Sequence, residues 1–210
     1  ALAISTPVIS LWANPGTLAG SERIGELAAA LGDDPAELQA RIGRYANKQF
    51  MYLERHLVPD RARAVLALNI PGVRAEREYR RFYPAGEVTS QLVGMTNVDG
   101  RGVAGLELAY DEWLRGHPGK KRYIKDLHGD AVRDIGVVEA ARPGRNLQLS
   151  IDLRLQYLQH RELSRAAAVT GAEAGVIVTL DARTGEVLAS VSYPDFNPNN
   201  RSAVTMSETR

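Results

Sequence analysis

Two alternating apolar runs stand out near the C-terminal end of the chain, and everything before them reads as shorter amphipathic pieces. Gly175-Val176-Ile177-Val178-Thr179-Leu180 is β-branched and Glu186-Val187-Leu188-Ala189-Ser190-Val191 is a second such run, with Asp181-Ala182-Arg183-Thr184-Gly185 between them. Asp at the start of that turn and Gly where positive φ is favoured predict a β-hairpin. Ile177, Val187, Leu188 and Val191 put apolar groups on both faces, which predicts a sheet covered on two sides. Two strands supply no such cover, and the tail holding Pro194 and Pro198 is polar through Arg210. The hairpin is therefore expected to open a domain whose remainder lies outside this chain.

Upstream, Val8-Ile9-Ser10-Leu11-Trp12 predicts a strand ended by Asn14-Pro15-Gly16. Ser21 is placed to cap a helix with Ile24, Leu27 and Leu31 on one face and Gly32 as its stop. Asp34-Pro35-Ala36-Glu37 is a strong helix start, and Leu38, Ile42 and Tyr45 make the predicted buried stripe. A strand over Gln49 to Arg55, with a continued helix as the competing reading, is followed by a helix after Val58-Pro59-Asp60 with Ala64, Val65 and Leu68 inward. Gly72 to Tyr83 alternates bulky and charged residues and predicts an exposed strand. A short helix through Thr89 to Val93 follows. The glycine-rich stretch Gly100 to Gly105 then leads into a helix with Leu106, Tyr110, Trp113 and Leu114 at helical spacing, which makes Trp113 a core anchor. Residues 120–138 predict a charged hairpin turning at His128-Gly129. Leu147, Leu149 and Ile151 alternate as a strand, and Asp152 caps a helix whose apolar side is Leu155, Tyr157, Leu158 and Leu163. The whole is a mixed α and β body over about residues 1–145, joined through a strand and a helix to the first strands of something larger.

Composition narrows the chemistry. A net charge of +1 over 210 residues gives no electrostatic case for a nucleic-acid partner. With no Cys, structural disulfides and thiolate metal sites are excluded. No apolar run approaches the roughly 20 residues that span a bilayer. His56, His117, His128 and His160 are dispersed, without zinc-ligand pairing, and no cofactor is expected. The acidic pairs Asp33-Asp34, Asp111-Glu112 and Asp126 with Asp130 fit caps, helix surface and turns better than a glycosidase pair. The glycines at 100, 102 and 105 follow a polar turn and lack the lysine and serine of a phosphate loop. A serine nucleophile with Lys one helical turn later is also absent: Lys48, Lys120, Lys121 and Lys125 follow Tyr45, His117, Pro118 and Arg122 at that spacing. Neither Ser-x-Asn nor Lys-Thr-Gly occurs, so no catalytic residue of that kind is expected within these residues. The charged strand leaves two readings open: a solvated surface laced with ion pairs, or an architectural cluster in which arginines bond buried carboxylates and set the angle between two subdomains.

Several separated signatures resemble one family, the class B penicillin-binding proteins, and within it the division-specific, FtsI-type peptidoglycan D,D-transpeptidases. Arg80-Arg81-Phe82-Tyr83-Pro84-Ala85-Gly86-Glu87 is similar to the family's pedestal motif, with Arg81, Tyr83, Gly86 and Glu87 as the matching positions. Gly102-Val103-Ala104-Gly105-Leu106-Glu107, with Tyr110-Asp111 and Leu114, resembles the second motif; there Glu107 is the carboxylate expected to meet arginine, and Ala104 stands where Glu or Gly is common. Asp126-Leu127-His128-Gly129 resembles a hairpin turn of the family. Gly144 through Leu147, Leu149, Ile151-Asp152 and Gln156, and then Gly175, Asp181, Thr184-Gly185-Glu186 and Tyr193 to Asn199, complete it in order.

The resemblance implies an α+β fold: a pedestal over residues 1–145 carrying a small α-rich head at about 8–56, and the start of a transpeptidase domain over 146–210, ahead of its catalytic serine. It implies a parent enzyme of the inner membrane, held by an upstream helix with its pedestal in the periplasm. That enzyme would cross-link stem peptides by serine acyl transfer and be acylated by β-lactams. The partners implied are an FtsW-type glycan polymerase and divisome activators, with stem peptides and β-lactams bound only through the catalytic domain. Arg81, Glu87 and Glu107 are expected to maintain pedestal geometry, with Tyr83 packing and hydrogen-bonding beside them and Gly86 and Gly105 as further positions of the motif; Asp181, Thr184, Gly185 and Glu186 are expected to shape the hairpin into the next domain.

Overall fold

A computed structural model describes residues 1–125 and 131–200, and of residues 121, 123–125, 131–135 and 137 the backbone alone. The turn expected at Asp126-Leu127-His128-Gly129 lies outside them. The chain forms two compact units, one built from Ser5–Arg80 and the other from Ala1–Ile4, Arg81–Lys125 and the described residues from Ala131 onward.

The first unit is a three-stranded sheet with four helices. Strand β1 (Ile4–Ala13) lies between β2 (Met51–Leu57) and β3 (Val73–Phe82), and the helices are α1 (Pro15–Leu18), α2 (Ile24–Leu31), α3 (Pro35–Arg44) and α4 (Pro59–Leu66). Local chemistry sets the helix ends. The Asp34 carboxylate accepts from the Ala36 and Glu37 amides and Pro35 occupies the first turn of α3, while Gly32 closes α2 in the left-handed region at φ 75°. Ser21 does not cap α2; its hydroxyl accepts from the Arg23 amide and the helix begins one residue later without a side-chain cap. Leu11, Leu18, Leu27, Leu38, Ile42 and Val65 are fully buried in one core, each contributing roughly 1.5–3 kcal/mol. Tyr45 is 46% exposed because it follows the last residue of α3 rather than riding on its buried face. In α4 the buried residues are Ala62 and Val65, so the inward face is rotated away from the expected Ala64.

Across this sheet, Ser10 and Arg55 hydrogen-bond Glu78. Burial alone would raise that carboxyl; the hydrogen bonds from Arg55 and Ser10 and the charges of Arg55 and His56 outweigh it and hold Glu78 below its ordinary value.

The second unit starts with a 3-10 turn (Gly86–Thr89) and continues through α5 (Ser90–Val93), β4 (Met95–Thr96), β5 (Gly102–Ala104), α6 (Gly105–Ala109) and α7 (Asp111–Arg115). The single helix expected over Leu106 to Leu114 is broken at Tyr110, whose φ of −117° and ψ of 24° lie outside the helical region. Trp113 is accordingly no core anchor. It is 44% exposed, donates to the Asn146 carbonyl and carries the Arg145 guanidinium 4.6 Å from its ring. The charged pair β6 (Lys120–Lys125) and β7 (Ala131–Glu139) is antiparallel. Leu147 to Ile151 forms no strand, although Ser150 and the Asp152 amide bond to the Val187 and Leu188 carbonyls.

Helix α8 (Leu153–Thr170) is capped by the Asp152 carboxylate on the Arg154 and Leu155 amides. The hairpin strands are β8 (Gly175–Leu180) and β9 (Val187–Tyr193), in register from Gly175 opposite Tyr193 to Thr179 opposite Ala189, after which the register shifts to put Leu180 opposite Val187. Ala189 and Val191 are buried, whereas Val176, Val178 and Leu180 are more than half exposed, so the described residues cover one face of the hairpin. The apolar side assigned to α8 is also displaced: Tyr157 and Leu158 are exposed and Gln156 is completely buried.

Candidate functional site

Arg81 is the penultimate residue of β3, which ends at Phe82, and the chain then turns through Tyr83 to Glu87. Arg81 Nε donates to Glu107 Oε1 at 2.8 Å, and the Glu107 side chain is 3% exposed against 20% for Arg81. A carboxylate so far from water is stable only with a cation and hydrogen bonds around it. Tyr83 is 1% exposed, and its hydroxyl accepts from the Thr96 amide at 3.0 Å, tying the turn to β4. Burial first, and then the charge of Glu107, push its phenol up to about 12.

Two outcomes follow for Tyr83. In the unfolded chain the phenol ionises near pH 10, so between about pH 10 and about 12 the unfolded state holds fewer protons and stability falls as pH rises. Tyr83→Phe removes that alkaline slope, seen by following denaturation across this range. At neutral pH it is expected to cost about 1–3 kcal/mol, because the buried Thr96 amide loses its acceptor.

Two glycines make a close approach of backbones possible where β5 leads into α6. Gly94 (φ 74°) and Gly105 (φ 57°) face each other across the β4–β5 ladder, in which Met95 pairs with Ala104. Gly86 has φ 52°, and its amide donates to the Tyr83 carbonyl at 3.0 Å. Glu87 meets no arginine among the described contacts; its Oε1 accepts from Asn197 Nδ2 at 2.7 Å.

That contact sits beside a set of side-chain amides that bond main-chain atoms. After β9 the chain returns onto the residues following Tyr83. Asn199 Oδ1 accepts from the Tyr83 amide and Asn199 Nδ2 donates to the Tyr83 carbonyl, both at 3.0 Å. Gln91 Nε2 donates to the Pro194 carbonyl at 2.9 Å, and Phe196 is buried with its amide 3.4 Å from Ser90 Oγ. From α8, Gln156 Nε2 donates to the Val88 and Ser190 carbonyls at 3.0 and 2.7 Å, and its Oε1 accepts from the Ser190 amide at 2.8 Å. Sequence reasoning named Gln156, Asn197 and Asn199 as matching positions and gave them no role. The available signal was Asn-Pro-Asn after Phe196, two amides beside an apolar anchor in an otherwise polar tail.

The hairpin turn is self-contained. Asp181 Oδ1 accepts from the Arg183 and Thr184 amides, Gly185 adopts φ 75°, and Thr184 Oγ1 and Glu186 Oε2 are 3.2 Å apart. Of the histidines, His160 Nε2 lies 2.6 Å from Asp195 Oδ2, a contact that braces the returning segment on α8. Among the described residues no group of three or more His, Asp or Glu is placed to hold a metal, and no helix is long and apolar enough to cross a membrane.

This arrangement holds backbone segments in place. Residues 1–149 match the family described as the Penicillin-binding Protein dimerisation domain. The chain is 43% identical over 207 residues to the peptidoglycan D,D-transpeptidase FtsI of Escherichia coli K12, covering 96% of this chain and 35% of that protein. It is 41% identical over 203 residues to the probable peptidoglycan D,D-transpeptidase PbpC of Pseudomonas aeruginosa, covering 96% and 36%. It is 35% identical over 206 residues to the probable peptidoglycan D,D-transpeptidase PenA of Neisseria meningitidis, covering 94% and 35%. The chain thus spans about a third of the length of these curated relatives. Two solved structures share the fold at a TM-score of 0.65: penicillin-binding protein 2X of Streptococcus thermophilus (20% identical, 95% of this chain and 34% of that one) and PBP2 of Helicobacter pylori in complex with MreC (21%, 94% and 40%). The α+β fold, the 149-residue match and the absence of Ser-x-x-Lys, Ser-x-Asn and Lys-Thr-Gly agree, and the chain belongs to the class B penicillin-binding proteins as their non-catalytic pedestal, or dimerisation, portion.

Proposed function

We propose that this chain positions the catalytic domain of a periplasmic peptidoglycan D,D-transpeptidase of the division-specific, FtsI type. Residues 1–145 act as pedestal, with a head at about 8–56, and residues 146–210 begin the transpeptidase domain. Arg81, Glu107 and Tyr83 maintain the pedestal's internal geometry on Gly86 and Gly105, and Glu87 holds the returning segment through Asn197. The Asp181-Thr184-Gly185-Glu186 turn shapes entry into the catalytic sheet. The protein is held at the inner membrane by an upstream helix, and its pedestal contacts an FtsW-type glycan polymerase and divisome activators. The parent enzyme's serine attacks the D-Ala-D-Ala bond of a donor stem peptide, expels D-Ala and passes the acyl group to an acceptor amine, and β-lactams acylate that serine.

The observation that carries this reading is the buried Arg81–Glu107 pair inside the span that matches the dimerisation domain. Identity to FtsI of Escherichia coli supports the division branch. A second reading is an elongation enzyme with an MreC-like partner, favoured by the likeness to the Helicobacter pylori PBP2 of the MreC complex. A pedestal-like interaction module without enzymatic activity is the third.

Fluorescent penicillin separates the enzyme readings from the interaction module. The full-length protein is expected to be labelled covalently, and an unlabelled, folded full-length protein sinks the transpeptidase reading. Depletion then separates the two enzymes: filaments are expected, whereas round cells assign the protein to elongation.

A further inference from the structure

Gln156 and Asn199 lie beyond the end of the family match at residue 149, yet both bond main-chain atoms within it. We propose that these two amides are positioning residues, which set the placement of helix α8 and strand β9 on the pedestal by gripping the backbone of Tyr83 and Val88. The functional consequence rests on the pedestal reading above; the structural one does not.

The chemistry of the amide carries the argument. A side-chain amide is the group that presents a donor and an acceptor side by side. Asn199 uses both on the amide and the carbonyl of one residue, Tyr83, as a neighbouring strand would. Gln156 uses its acceptor on the Ser190 amide and its donors on the Val88 and Ser190 carbonyls, so one buried side chain joins α8, β9 and the 3-10 turn. Gln156 is fully shielded from water, so water cannot replace its bonds without opening the contact, and Asn199 is half-buried beside Pro198, which is among the most buried residues. Because the partners are main-chain atoms, no substitution of the Val88 side chain removes them. The specificity of the joint resides on the far side, in Gln156 and Asn199.

The chain has no Cys, so a spin-label pair can be introduced cleanly at Glu112→Cys and Arg183→Cys, the latter replacing a side chain that is 91% exposed. Double electron–electron resonance on the otherwise unchanged chain is expected to give one narrow distance distribution. Asn199→Ala and Gln156→Ala are each expected to broaden it at least to about double the width, since the segments they join are then held by fewer bonds. The near-isosteric Asn199→Asp is expected to do the same, because a carboxylate cannot donate to the Tyr83 carbonyl. Gln156→Met, which fills the volume without the amide, guards against mere loss of packing and is expected to broaden the distribution while the chain remains folded by circular dichroism. Thr184→Ala in the hairpin turn is expected to leave it narrow. Folded Asn199→Asp and Gln156→Met chains with wild-type widths overturn the proposal.

In the full-length protein the same two variants are expected to be acylated by fluorescent penicillin within about a factor of two of wild type. Penicillin needs the serine's own surroundings, whereas cross-linking must also seat two strands. Strand cross-linking is expected to fall by about 10²-fold, the scale of an ångström-sized misplacement. Equal loss of both activities, or loss of neither, overturns the positioning role. A wild-type protein that penicillin does not label sinks the transpeptidase reading instead, and the distance distributions then decide the grip by themselves.

Discussion

Arg81→Ala is expected to destabilise the chain by about 3–5 kcal/mol, a large part of the roughly 5–15 kcal/mol that holds a domain of this size. The Glu107 side chain is 3% exposed and receives a 2.8 Å hydrogen bond from Arg81 Nε. Removing the guanidinium leaves a buried carboxylate without its cation, and burial of an uncompensated charge dominates the cost. The comparison that isolates burial is Arg161→Ala. Arg161 and Glu162 also form an ion pair, at 2.6 Å, but their side chains are 59% and 52% exposed. Water solvates both ions there whether or not they touch, and the expected cost is about 0–1 kcal/mol. Urea denaturation of the two variants should separate them clearly. The double variant Arg81→Met with Glu107→Leu should recover most of the loss, because replacing both members of a buried pair removes the desolvation penalty along with the attraction. If Arg81→Ala and Arg161→Ala cost the same, the pair is surface decoration and the architectural reading fails.

What was legible in the sequence was legible for local reasons. Asp34-Pro35 and Gly32 fix helix ends through atoms within four residues, so α2 and α3 were found at nearly their true limits. Asp181 and Gly185 likewise close the β8–β9 turn by themselves. Burial was read less well, because helical spacing says which residues share a face and not which face is covered. Tyr157 and Leu158 share an apolar side of α8 that the described residues leave exposed, while Gln156 turns to meet the carbonyls of Val88 and Ser190. Nothing in the residues around Gln156 announces those partners. Alternation over Leu147 to Ile151 failed for a related reason: a strand requires a ladder neighbour, and among the described contacts the segment is tied to β9 through the Ser150 hydroxyl and the Asp152 amide that follows it. The contact between Arg81 and Glu107 spans 26 positions. Periodicity could not have paired them; the family resemblance nominated both.

Gly94→Ala is expected to leave no cooperative unfolding transition in the second unit, with a loss above about 4 kcal/mol. A Cβ there would sit 1.9 Å from the Ala104 carbonyl oxygen and 2.6 Å from the Gly105 nitrogen. Both are backbone atoms, so no side chain can swing aside, and moving them undoes the pairing of Met95 with Ala104. The approach is reciprocal: a Cβ at Gly105 would lie 2.6 Å from the Gly94 nitrogen, so Gly105→Ala should behave alike. Gly86→Ala is the matched control. Gly86 also has positive φ, at 52°, but a Cβ there meets nothing within 4 Å. Only the conformational penalty remains, about 1–2 kcal/mol. Urea titrations followed by circular dichroism should therefore give a shifted but cooperative second-unit transition for Gly86→Ala and none for the other two. Equal midpoints for Gly94→Ala and Gly86→Ala would show that the two backbones can separate without loss. That separation bears directly on the ion pair, because Glu107 lies two residues after Gly105 in the first turn of α6. Moving that turn displaces the carboxylate relative to Arg81, so the glycine contact and the buried pair are expected to weaken together.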